Sequence, residues 1–153
     1  MAERIAYSKV APGGYRAMSG LEKYVRESGL EQSLLELVKL RASQINGCAF
    51  CLDMHWKDAR AQGENEQRLY SLDAWRETSY YTERERAALA CTEAVTQIAA
   101  NHVSDELYEQ VRQQFSEEEL VSLTLAVVAI NGWNRLSISF RTEPGTYQPS
   151  SHH

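Results

Sequence analysis

The chain has 153 residues, of which 43% are hydrophobic and 24% charged, and its formal net charge is −5 at pH 7. This length and composition predict one globular domain with a single core. The acidic balance, without any run of lysine or arginine, argues against a nucleic-acid surface. No apolar stretch is long enough to span a bilayer and the start lacks the apolar segment of a signal peptide, so we expect a cytoplasmic protein with no membrane partner.

The predicted elements are helices, because strand alternation is not sustained anywhere and the three prolines lie near the ends. In chain order the pattern predicts helices over residues 19–29, 31–46, 48–63, about 65–75, 82–100, 104–115 and 116–133. The fold class is therefore all-α, with about six to eight helices in one domain over residues 1–141. Residues 142–153 are predicted to form a flexible C-terminal tail, and its final His-His is compatible with the remnant of a purification tag.

Two helix starts and one ambiguous end stand out in the second half of the chain. Thr82 with Glu85, and Ser116 with Glu119, each fit a capping box that satisfies free backbone amides at a helix N-terminus. In the segment NRLSISFR the helical pattern weakens, because Ile138 and Phe140 alternate as they would in a strand. Within WNRLSISFR, the neighbours Trp133, Asn134 and Arg135 are candidates to line a site or a subunit contact.

The chemistry is concentrated in the stretch QINGCAFCLDMH, residues 44–55. Cys48 and Cys51 are spaced i, i+3, and Cys51 and His55 are spaced i, i+4, so all three lie on one face if the segment is helical. An i, i+3 pair also brings the two Cα atoms within the range that a disulfide tolerates. Three cysteines without an export signal do not make a disulfide framework, and a close pair then indicates redox chemistry or metal binding.

A thiolate is the reactive form of cysteine, and this position favours one. The first turn of a helix carries free amides and partial positive charge, which favours Cys48 as the more acidic thiol. His55 can accept the thiol proton from Cys51, which favours Cys51 as the nucleophile. Glu36 on the preceding helix is the candidate carboxylate to orient the histidine, whereas Asp53 lies off the common face.

Two other interpretations stay open for these residues. Zinc could bind Cys48, Cys51 and His55 with Glu36 as a fourth ligand, although structural zinc sites usually draw a second close pair, which this chain lacks outside its terminal His-His. The cysteines could also be small buried hydrophobes, which is the favoured interpretation for Cys91 on its apolar helix. For the last candidate, His102, a surface or capping position is expected.

The motif resembles a known signature. Glu36, eleven residues, Cys48-Ala49-Phe50-Cys51, three residues and His55 match the E-x11-C-x2-C-x3-H pattern of AhpD-like alkylhydroperoxidases in the carboxymuconolactone decarboxylase family. LVKLRASQINGCAFCLDMHWKDARAQGE also looks like the core of that family, and the resemblance covers roughly residues 15–141. It implies an all-helical fold that assembles into homo-oligomers, commonly trimers or hexamers. The decarboxylases of the family lack the cysteine pair, so the resemblance implies redox chemistry.

The implied activity is thiol-dependent reduction of hydroperoxides, with an antioxidant role. By similarity, Cys51 is the peroxidatic cysteine, Cys48 resolves it as a disulfide, and His55 and Glu36 relay the proton. A dithiol donor of lipoyl or thioredoxin-like type would regenerate the enzyme, and no cofactor or metal is required. Phe50 departs from the lipoyl-linked peroxidase of the family, which has a histidine there. The alternative is a dithiol redox sensor or partner-binding oligomer with little turnover.

Overall fold

The computed structural model describes residues 1–150, and all the regular secondary structure within them is helical. The all-α prediction is confirmed. Nine α-helices and one 3-10 helix follow one another. The number exceeds the predicted six to eight, because the predicted helices 65–75 and 82–100 are each divided in two and the short helix Tyr7–Val10 was not predicted. The helices are α1 Tyr7–Val10, α2 Pro12–Arg26, α3 Gln32–Asn46, α4 Ala49–Ala61, α5 Glu66–Tyr70, the 3-10 helix Leu72–Glu77, α6 Glu83–Thr96, α7 Ile98–Asn101, α8 Asp105–Arg112 and α9 Glu117–Phe140.

Helix α3 is the centre of the domain. It packs against α4, α6 and α9, and α9 in turn packs against α2 and α6. Residues 34–40 of α3 are buried on every side, the pattern of a helix enclosed by its neighbours. Because Glu36 and Lys39 belong to this run, the packing carries two charged side chains into the interior.

The helix ends follow the sequence signals. Both predicted capping boxes are present, at Thr82 with Glu85 and at Ser116 with Glu119. Gly47 ends α3 in the left-handed conformation with φ +69°, which a residue bearing a Cβ adopts only with strain. This sharp stop allows α4 to begin two residues later and places Cys48 at the junction.

Three predicted boundaries were wrong. Helix α2 begins at Pro12, which occupies the first helical turn, rather than at residue 19. The predicted helix 82–100 is broken at Gln97 into α6 and α7. Residues 134–140 continue α9 as a helix, because Asn134 and Ser137 are buried at i, i+3 spacing while the strand-like Ile138 is exposed.

Residues 142–150 form neither helix nor strand, and they lie along α4 through contacts with Lys57 and Asp58. The flexibility expected for residues 142–153 stays a prediction, and the final His-His lies outside the described residues. None of the helices in the described part of the chain has the length and apolar character that crossing a membrane requires.

Candidate active site

The cysteine pair lies at the junction of α3 and α4. Cys48 is the N-cap residue of α4, Cys51 lies in the first turn, and the two form a disulfide with a Cα–Cα distance of 5.4 Å. Cys48 is 1% exposed and Cys51 is 3% exposed. They pack with Ala42 and Ile130, and partly buried Phe50 and Trp133 lie against this group. The disulfide therefore lies in a small apolar environment beneath the surface.

A buried polar network fixes the junction. The Cys48 amide donates to the carbonyl of Ser43 at 3.0 Å, and the Ser43 hydroxyl accepts from Asn134 at 3.0 Å. Asn46 donates to Asn131 and to Asn134, each at 2.9 Å. Because these bonds join α3 to α9 one turn before the disulfide, they hold the first cysteine in place.

The N-cap position gives Cys48 a specific stabilising contact. The backbone amide of Cys51 donates to the sulfur of Cys48 at 3.4 Å. A thiolate at this position would receive the same donor together with the partial positive charge of the helix N-terminus. When the disulfide is reduced, this contact makes Cys48 a good leaving thiolate.

His55 lies one turn after Cys51 and is paired with Glu36. The distance from Nδ1 of His55 to Oε2 of Glu36 is 3.1 Å, and both side chains are buried. In the tautomer that donates from Nδ1 to Glu36, Nε2 is the nitrogen left to take a proton from a thiol. The structure thus joins the predicted base to its predicted carboxylate across two helices.

A second, partly buried ion pair lies nearby and was missed by the sequence reasoning. Nζ of Lys39 is 2.6 Å from Oε1 of Glu22, and the Trp133 indole donates to the other carboxylate oxygen at 3.3 Å. Burial alone would raise the pKa of Glu22, but the Lys39 ammonium outweighs it, His55 adds to the effect, and the pKa falls below its ordinary value. Glu22 on α2 therefore stays ionised to a lower pH than an ordinary glutamate does.

Asp58 adds a further carboxylate. Its oxygen, a carboxylate oxygen of Glu36 and a ring nitrogen of His55 all lie within 4.8 Å of one another. These are the residues among the described ones that could hold a divalent cation. The predicted zinc set differs, because Cys48 and Cys51 are joined to each other and offer no thiolate.

The remaining candidates lie elsewhere. Cys91 is buried on α6, and burial raises the pKa of its thiol to about 11, as expected for a cysteine that acts as a hydrophobe. His102 is exposed at the end of α7. Asp53 pairs with Lys57 and not with His55. Of the neighbours proposed from WNRLSISFR, Trp133 lies against the cysteines, whereas Arg135 is exposed.

An open cleft of about 340 Å³ approaches the site from the ends of α3 and α4. Its lining includes Glu36 and neither cysteine: Ser33, Glu36, Ala59, Gln62, Gly63 and Glu64. The cleft thus reaches Glu36, whereas the disulfide stays covered.

Comparison with known proteins identifies the family of this chain. Residues 12–94 match the model of the carboxymuconolactone decarboxylase family. The chain belongs to this family. It is 48% identical over 139 residues to the uncharacterised protein YdfG of Bacillus subtilis, a match that covers 91% of this chain and 95% of YdfG. The matched region contains Glu36, both cysteines and His55.

Solved structures agree on an AhpD-like fold for this family member. A protein of unknown function from Agrobacterium tumefaciens, with a suggested role in antioxidant defence as AhpD, superimposes with a TM-score of 0.92 at 46% identity, over 95% of this chain and all of that one. The debrominase Bmp8 superimposes with a TM-score of 0.79 at 20% identity, over 88% of this chain and 73% of Bmp8. The second likeness shows a shared fold alone.

Some residues of the site could have been found in the sequence. Lys39 interrupts the apolar run LLELVKL three residues after Glu36, and a lysine at such a position is a candidate for a buried pair. Asp58 is spaced i, i+3 from His55 and therefore shares its helix face. Glu22, and the C-terminal Tyr147 whose hydroxyl donates to Asp58, carried no sequence signal, because only the packing of distant segments brings them to the site.

Proposed function

We propose that the chain is a thiol-dependent hydroperoxide reductase with an antioxidant role, which cycles Cys48 and Cys51 between dithiol and disulfide. The observation that carries the proposal is the disulfide at the start of α4, one turn before a histidine already paired with a buried carboxylate. Nucleophile, base and orienting carboxylate are the three parts that activation of a thiol requires.

Attack on the hydroperoxide uses Cys51. Nε2 of His55 takes the proton of the Cys51 thiol, and Glu36 holds the ring and balances the charge of the imidazolium. The thiolate attacks the terminal oxygen of the hydroperoxide, so an S–O bond forms while the O–O bond breaks. The imidazolium protonates the departing alkoxide, which leaves an alcohol and a sulfenic acid on Cys51.

Cys48 then resolves the sulfenic acid. The Cys48 thiol gives up its proton, and the thiolate, stabilised by the Cys51 amide, attacks the sulfur of Cys51. An S–S bond forms as the S–O bond breaks, and the departing hydroxide takes up the proton from Cys48 and leaves as water. A dithiol donor, of lipoyl or thioredoxin-like type, reduces the disulfide by exchange and becomes a disulfide itself. In sum, one hydroperoxide and one dithiol give one alcohol, one water and one disulfide. A reducing compartment such as the cytoplasm would maintain the donor.

The test is hydroperoxide consumption by the wild-type protein. With cumene hydroperoxide and excess dithiothreitol, we expect many turnovers per chain, with one dithiol oxidised for each hydroperoxide consumed. Without a donor, the reduced protein should consume one hydroperoxide and lose two thiols per chain. Consumption of one equivalent only, with dithiothreitol, lipoyl and thioredoxin-like donors alike, would refute the enzyme and support the redox sensor.

We also propose that the protein works as a homo-oligomer, a trimer or a hexamer. Val121 and Val128 lie two turns apart on α9 and are 58% and 48% exposed in the single chain, which is the kind of apolar surface a subunit contact covers. Native mass spectrometry should give three or six times the mass of the chain. A monomer at micromolar concentration would refute this proposal.

A further inference from the structure

The C-terminal strap, defined as residues 142–150, is held against α4. Arg141 ends α9 in the left-handed conformation with φ +55°, and the amide of Thr142 donates to the carbonyl of Ser137 at 3.0 Å. Gly145 has φ +101°, a conformation that glycine adopts without strain, and it turns the strap back over the domain. The left-handed conformations of Arg141 and Gly145 thus set the direction of the chain before the strap reaches the site.

Lys57 fastens the strap to α4. Its ammonium donates to the carbonyls of Gly145 at 3.3 Å and Tyr147 at 3.0 Å, and to the carboxylate of Asp53 at 3.0 Å. An ammonium has three hydrogens, so these three acceptors use all of its donors. These bonds therefore hold the backbone at Tyr147, the residue whose side chain faces the site.

The side chain of Tyr147 reaches Asp58. Its hydroxyl donates to Oδ1 of Asp58 at 2.7 Å, and the ring is half-buried. Burial and the Asp58 carboxylate raise the pKa of Tyr147 above its ordinary value, so the hydroxyl stays protonated and remains a donor.

Asp58 is a potential competitor for His55. It lies within 4.8 Å of both His55 and Glu36, and it is spaced i, i+3 from His55 on the same helix. A carboxylate without another partner at this distance could take the imidazole N–H from Glu36 by a change of rotamer. The Tyr147 hydroxyl supplies Asp58 with another partner, and Glu36 keeps the ring.

We propose that Tyr147 is a positioning residue of the site, which holds Asp58 away from His55 so that Glu36 alone orients the imidazole. The proposal rests on the hydroperoxide-reductase function for its kinetic consequences, but the orientation of the ring can be read without turnover. It also gives the C-terminal strap a function in catalysis.

The test is Tyr147→Phe, measured by turnover and by NMR of the histidine ring. Loss of one hydrogen bond to a charged group should lower kcat for cumene hydroperoxide about tenfold and leave KM unchanged. The ¹⁵N signals of the His55 ring, recorded without hydroperoxide, should shift. Adding Asp58→Asn to Tyr147→Phe removes the competing charge. The kcat of this double variant should therefore lie within about threefold of the kcat of Asp58→Asn alone.

The matched control is Tyr108→Phe, which removes a hydroxyl from an exposed tyrosine of α8 and should change neither kcat nor the ring signals. An unchanged His55 spectrum in Tyr147→Phe overturns the proposal. Wild-type kcat in that variant overturns it too, as does a double variant as slow as Tyr147→Phe. If the wild type itself shows no turnover, the reductase function fails, and the ring spectra still decide the role of Tyr147.

Discussion

Replacing Cys51 by serine is expected to abolish hydroperoxide reduction, with a fall in kcat/KM of at least about a thousandfold. Serine keeps the size of the side chain, but its hydroxyl stays protonated beside a neutral imidazole and is a poor nucleophile toward an O–O bond. His55 and Glu36 remain in place in this variant. The loss is measured as consumption of cumene hydroperoxide with excess dithiothreitol.

The complementary variant separates attack from resolution. Cys48→Ser should consume one equivalent of hydroperoxide and stop, with a sulfenic acid on Cys51 that dimedone traps and mass spectrometry locates. Cys91→Ala is the control for loss of a cysteine, because the buried thiol with its pKa near 11 takes no part in the cycle. If the roles were reversed, the trapped sulfenic acid would appear on Cys48 in the Cys51→Ser variant.

The second large effect is expected at Glu36. Glu36→Gln removes the negative charge beside His55 while it keeps the size of the side chain. The imidazolium that forms on deprotonation of Cys51 then lacks its counter-charge, and the ring is no longer held by an acceptor-only group. We expect kcat to fall about a hundredfold, measured by hydroperoxide consumption over a range of substrate concentrations.

A partly buried carboxylate outside the site provides the control. Glu93 on α6 accepts hydrogen bonds from Arg41, Arg76 and Trp75, so Glu93→Gln tests the cost of neutralising a structural carboxylate. We expect a loss of about 1–3 kcal/mol in the free energy of unfolding, with turnover within twofold of wild type. Should Glu36→Gln turn over as fast as wild type, the proton relay through His55 would be wrong.

Local spacing determined the centre of the site. Cys48, Cys51 and His55 lie within eight residues, and a helix of 3.6 residues per turn brings such neighbours together whatever surrounds it. The capping boxes at Thr82 and Ser116 were predictable for the same reason, since each involves residues three positions apart. The alternation in NRLSISFR wrongly predicted a strand-like end. Two alternating residues are too few to outweigh Asn134 and Ser137, which are buried on one face of α9.

By itself, then, the sequence determined an all-helical chain, a cysteine pair at a helix start and a histidine one turn later. Only the tertiary structure decided what surrounds them. The Glu22–Lys39 pair joins α2 to α3, and Tyr147 meets Asp58 across 89 residues. The physical reason is that helical geometry fixes contacts over a few positions, whereas contacts between distant segments depend on how helices pack and how a terminal segment folds back over them.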